Sequence, residues 1–209
     1  PPRSTLFPYT TLFRSRFTFD PGVDDDPVWS RDGKYIYYAN TATGRYQITR
    51  KPSSGVGAPE KLPDVGRSQT PSDWSPDGKH LLLSVNDPQG GEDIWMMNEG
   101  GNPASAPYIA TPFNEYGGQF SPDGRWVAYT SNESGRLEVY VQSFPAGGGR
   151  WQVSLEGGAR PRWNPKGGEL CFVSPALEMM SVEVRPGPTF EYGTPKALFV
   201  TRIDNYASP

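Results

Sequence analysis

The sequence predicts an all-β chain built from four similar units of short antiparallel strands, and three observations predict it. Four stretches repeat the same phrase: PVWSRDGKYIYYAN at 27–40, SDWSPDGKHLLLSV at 72–85, GQFSPDGRWVAYTS at 118–131 and PRWNPKGGELCFVS at 161–174. Their turn glycines Gly33, Gly78, Gly124 and Gly167 fall 45, 46 and 43 residues apart, a period typical of repeat architectures. Finally, 24 glycines and 23 prolines would suggest disorder were aromatics not 13% of the chain; turn-dense β-structure satisfies both facts.

Each element follows in order. A strand ends on an aromatic residue, Trp29, Trp74, Phe120 or Trp163. A turn comes next, through Asp32-Gly33, Asp77-Gly78, Asp123-Gly124 and Lys166-Gly167. Proline, where present, presets φ for the first corner, and glycine accepts the positive φ that closes the hairpin. The second strand is YIYYA, HLLLS, WVAYT or ELCFV. A third begins 12 to 16 residues after the glycine, at Ile48, Ile94, Val139 and Met179. Short segments EKLPD, PYIAT, WQVSL and KALFV complete the units. Along the second strand one position reads Ile36, Leu81, Val127, Leu170 and the next Tyr37, Leu82, Ala128, Cys171. Apolar residues on both faces mean that both faces are covered. Four-stranded sheets packed between neighbours are the blades of a β-propeller. Blade cores are expected at about 26–64, 71–111, 117–157 and 160–201, and Arg16–Asp20 reads as a leading strand.

The W/F-S-P-D-G-K/R turn, the apolar strand after it and the DIW- or EVY-type third strand resemble the TolB-like β-propeller repeat across 16–209. The strings FSPDGRWVAY, SNESGR and RPRW are most similar to propellers carried by bacterial membrane-bound serine/threonine kinases. That resemblance implies a periplasmic or extracytoplasmic sensor region that binds a protein or small ligand at the propeller face. Two alternatives share the fold: the gating propeller of a prolyl-oligopeptidase-type peptidase, and a TolB-like periplasmic scaffold. The fourth unit departs from the pattern, with Lys166 in place of Asp and a shortened VSPALEMM hairpin, so its outer edge is expected to be irregular.

The opening PPRSTLFPYTTLFRS shares none of this grammar. Residue for residue it is identical to the translation of a common short-read sequencing adapter, so Pro1–Ser15 is read as non-native and set apart from the fold. Without Arg3 and Arg14 the net charge moves from −3 to −5. The closing TRIDNYASP stops where another Ser-Pro-Asp-Gly turn is expected, and the whole reads as an arc of a larger ring.

Chemistry is sparse. No basic patch suits nucleic acid, no apolar run is long enough for a membrane span, and no cofactor or metal motif is present. No G-x-S-x-G elbow occurs, so no catalytic residue is expected. His80 aligns with Tyr35, Trp126 and Glu169 and reads as solvent-facing; Cys171 reads as packing. Asp24-Asp25-Asp26 reads as a solvated loop, Gly147–Gly149 as a hairpin tip, and the four repeat aromatics as core.

Overall fold

The computed structural model describes residues 16–88, 91–99 and 105–203. The adapter-like Pro1–Ser15 and residues 204–209 lie outside them. Among the described residues seventeen strands build four antiparallel sheets. The first holds β1 (Asp24–Trp29), β2 (Tyr35–Asn40), β3 (Gln47–Pro52) and β4 (Glu60–Lys61). The second holds β5 (Gln69–Trp74), β6 (His80–Asp87), β7 (Gly91–Asn98) and β8 (Ser105–Ile109). The third holds β9 (Glu115–Phe120), β10 (Trp126–Ser131), β11 (Glu138–Ser143) and β12 (Arg150–Gln152). The fourth holds β13 (Ala159–Trp163), β14 (Glu169–Val173), β15 (Glu178–Arg185), β16 (Glu191–Tyr192) and β17 (Lys196–Val200). Each sheet is a meander in chain order, and the innermost strands β1, β5, β9 and β13 touch their neighbours in turn. These are propeller blades around a central channel.

The alternation along each second strand decides the packing. Leu81, Leu83 and Val85 of β6 meet Tyr37 and Ile48 of the first blade, whereas Leu82 meets Phe120, Val127 and Tyr129 of the third. Trp126 and Ala128 of β10 face the other way, onto Leu170, Phe172 and Val182 of the fourth. Leu81, Leu82 and Leu83 are fully buried as a result, though consecutive in a strand. Burying one such side chain stabilises by about 1.5–3 kcal/mol, so every seam between blades carries a large apolar contribution.

The turns are built alike. Ser30, Ser75 and Ser121 hydroxyls donate to Asp32, Asp77 and Asp123 at 2.7, 2.6 and 2.6 Å. Each carboxylate also accepts the amide two residues on, from Lys34, Lys79 and Arg125. The fourth turn does without the aspartate. Asn164, at the serine position, accepts the Lys166 amide at 3.0 Å and donates to Glu169 at 3.1 Å.

Four expectations need correction. Arg16–Asp20 is not a strand, because no strand edge pairs with it; it lies against the first blade, where Lys51 donates to the Phe17 carbonyl at 2.6 Å. Trp29 is 58% exposed, whereas Trp74 and Phe120 are buried and Trp163 half-buried. Trp74, Phe120 and Trp163 pack on the preceding blade, and no blade among the described residues precedes Trp29. Asp24–Asp26 is not a loop but the start of β1. His80 is half-buried, edge-on to Phe144 at 5.3 Å with Nδ1 2.7 Å from Asn98 Oδ1, between the second and third blades. The third blade's residue at that repeat position, Trp126, is buried. The fourth outer edge is split: β16 pairs the end of β15 and β17 pairs its first half.

Candidate binding site in the central channel

The innermost strands carry the site. Each is bulged against its neighbour: between Asp25 and Val28, Pro71 and Asp73, Tyr116 and Gln119, and Ala159 and Arg162. At the bulge three blades adopt positive φ, at Asp26 (49°), Gly117 (66°) and Arg160 (58°), and the second has Pro71. Positive φ outside glycine costs on the order of 1–3 kcal/mol and persists only where surrounding structure imposes it. Bulges re-aim side chains. Here they fall at equivalent places on four inner strands whose residues differ in chemistry.

Those residues interact around the ring. Asp26 of the first blade is raised by burial and by Asp25, against a Thr70 hydrogen bond and the Arg162 charge. Glu92, on β7, is raised by burial and by Asp26. Burial and Glu92 push the Tyr116 phenol up to about 12, and Arg160 opposes them. Arg162, exposed on β13, is pulled down by partial desolvation and held up by Asp73, with Arg160 disfavouring its charge and Asp26 favouring it. Asp73 is raised by burial although Arg31, two backbone amides and Arg162 favour its charge. Three carboxylates and two guanidiniums from the first, second and fourth blades, with the Tyr116 phenol of the third, thus act on one another, and the acids lie above their ordinary range. Perturbed titratable groups gathered from several blades make this a candidate binding site.

Asp73 also locks the blades. Its Oδ2 accepts the Phe120 amide of the third blade at 2.9 Å, and its Oδ1 accepts Trp74 N at 2.9 Å and Arg31 Nη2 at 3.2 Å. Arg31 Nε further donates to the carbonyls of Trp74 and Ser75 at 3.1 and 3.2 Å. Gln119 Nε2 reaches the Ser72 carbonyl and Trp163 Nε1 the Gln119 carbonyl, each at 3.1 Å.

The residues singled out in the sequence lie elsewhere. Asp32, Asp77, Asp123 and Lys166, with Gly33, Gly78, Gly124 and Gly167, form the turns that close the first hairpin of each blade. Trp74, Phe120 and Trp163 lie in or against the seams between blades. Cys171 is half-buried and burial pushes its thiol up, which disfavours the reactive thiolate. The cluster itself was missed. Its signal was the position before each repeat aromatic, Val28, Asp73, Gln119 and Arg162, where a regular strand changes chemistry at every turn of the ring. Among the described residues no group of three metal-ligating side chains occurs.

Four blades set around a channel place the chain among β-propellers. No family model and no curated protein matches it. Solved structures do. TolB from Acinetobacter baumannii superposes with TM-score 0.69 at 21% identity over 90% of this chain and 46% of that one. A putative TolB from Agrobacterium tumefaciens gives 0.61 at 20% identity, over 88% and 84%. A puromycin-hydrolyzing peptidase of Mycobacterium tuberculosis gives 0.63 at 16%, over 88% and 30%. The chain therefore spans less than half of the first of these and less than a third of the third. At such identities the likeness is one of fold.

Proposed function

We propose that these blades form a non-catalytic binding module that holds a protein segment or small ligand at the channel face. The observation that carries the reading is the cluster of half-buried Asp26, Asp73, Glu92 and Arg160 with exposed Arg162, contributed by the first, second and fourth blades, in which partial desolvation raises the acids despite the guanidiniums. Both signs of charge suit a dipolar ligand. None of the five is a nucleophile placed against a base. The resemblance to kinase-borne propellers supports a role as the sensor region of a larger bacterial signalling protein outside the cytoplasmic membrane. Among the described residues no helix is long and apolar enough to cross a membrane.

A peptide library selected on the full chain tests the reading. Enriched peptides should lose at least tenfold in affinity when Arg162→Gln and Asp26→Asn are introduced. Peptides indifferent to both changes would refute the channel site, and turnover of a peptide anilide or of ATP would refute the non-catalytic role. The likeness to the mycobacterial peptidase supports a second reading, a gating propeller. Sequencing the source locus outward in both directions separates the two: a kinase and a membrane span favour the sensor, a hydrolase the gate.

A further inference from the structure

The fourth blade breaks the repeat in a way the turn geometry does not require. In the other blades the turn reads Asp-Gly-Lys/Arg, and its charges neutralise each other: Asp32 with Lys34 at 3.0 Å, Asp77 with Lys79 at 3.5 Å, Asp123 with Arg125 at 2.7 Å. The fourth reads Lys166-Gly167-Gly168. Asn164 takes over the capping, so the aspartate is dispensable. A cation now stands where the acid was, and the position that carried its partner is glycine.

This exchange sits on the rim of a cavity of about 490 Å³ in the seam between the third and fourth blades. Trp126, Trp163, Pro122, Val184 and Pro186 give it an apolar wall. The Trp163 indole N–H is already spent on the Gln119 carbonyl, so the ring offers its apolar body. The rim carries Lys166, Arg185, Arg125 and Asp123. Arg125 is neutralised by Asp123 and donates to the Gly187 carbonyl at 2.5 Å. Lys166 and Arg185 are exposed and joined to no carboxylate among the described residues. A Cβ at Gly168 would meet nothing within 4 Å, so the mouth is open.

We propose that this seam binds a small aromatic carboxylate, its ring against half-buried Trp163, with the buried Trp126 as the floor behind it, and its anionic end between Lys166 and Arg185. The volume falls in the range of small-molecule sites, roughly 300–1,000 Å³. Apolar wall and unpaired cations together select an anion with a flat body. The site lies on the hairpin-turn side of the blades and is independent of the channel cluster.

Calorimetric titration of the full chain with indole-3-acetate, and with neutral indole-3-acetamide of nearly the same shape, tests it. The acid should bind at least tenfold more tightly than the amide and weaken as sodium chloride rises, since exposed charges are screened. Lys166→Asp restores the residue the other turns carry and should fold normally; it should lose at least tenfold in affinity. Arg185→Gln should lose severalfold, and Arg162→Gln in the channel should change nothing. Equal binding of acid and amide, retention of affinity by both rim variants, or no heat from either probe at millimolar concentration would overturn the assignment.

Discussion

Replacing Asp73 by alanine removes one carboxylate that three blades share. The Phe120 amide and the Trp74 amide lose their acceptor, and Arg31 keeps only backbone carbonyls. A buried donor left without a partner costs about 1–3 kcal/mol. Two donors are stranded, and release of the carboxylate's own burial cost offsets part of the loss, so the expected destabilisation is about 2–4 kcal/mol. With a urea slope of about 2–3 kcal/mol per molar, the midpoint should fall by roughly 1 M or more. Asp73→Asn keeps one acceptor oxygen and should cost about half as much. Glu60→Ala, which breaks the exposed 2.9 Å ion pair to Arg50, serves as the control and should cost under about 1 kcal/mol. Unfolding would be followed by near-ultraviolet circular dichroism, which reports the seam aromatics. An Asp73→Ala midpoint indistinguishable from that of the unchanged chain would show that the carboxylate does not couple the blades.

The repeat aromatics separate by exposure: Trp74→Ala should cost about 3–5 kcal/mol in chemical unfolding and Trp29→Ala well under 1, and equal costs would mean that the first blade's outer face is covered. At Gly158 a Cβ would lie 2.7 Å from Ser154 Cβ and 2.9 Å from Phe172 Cδ2, so Gly158→Ala should destabilise by about 1–3 kcal/mol through overpacking; an unchanged unfolding midpoint refutes the close approach. Asp32 is held at about 2 by the Lys34 amide and Ser30, and Asp77 is lowered by Ser75 and the Lys79 amide. Burial raises Asp123, but Ser121 and Arg125 outweigh it and hold it low. Lowered carboxylates stabilise the fold above their unfolded value of 3.8 and lose that contribution as pH falls through their folded values. Melting temperature should therefore drop between about pH 4 and pH 2, and the triple Asn variant should show a flatter acid limb over that interval.

Much of this fold was legible because each seam is written twice, once on each face of a second strand. Leu81, Leu82 and Leu83 have one explanation: neighbours on both sides. The turns were legible because Pro, Asp and Gly each do one backbone task there. What escaped is of a different physical kind. The exposure of Trp29 depends on what stands beside the blade, not on its own segment. Phe190 lies in the Pro/Gly-rich stretch 186–195, which carries no strand period, yet it is buried and packs on Trp126 and Trp151 at 5.3 Å from each. That stretch also splits the outer edge of the fourth blade. Strand propensity for Arg16–Asp20 could not supply a partner edge, and without one the segment did not pair.

The channel site was illegible for a further reason. Periodicity finds what recurs, and an inner strand recurs only in its aromatic and its bulge. The residues between them, Val28, Asp73, Gln119 and Arg162, differ from blade to blade. A repeat fold stacks equivalent positions in the seams but gathers unlike ones at the centre. Scaffold therefore reads as agreement among the four copies, whereas chemistry reads as their disagreement. Arg31 stands where the other turns have proline and ties the first blade to the second. Lys166 stands where the others have aspartate, over a tryptophan-walled cavity. The departures from the repeat, rather than the repeat itself, thus mark both the ties between particular blades and the cavity proposed as a ligand site.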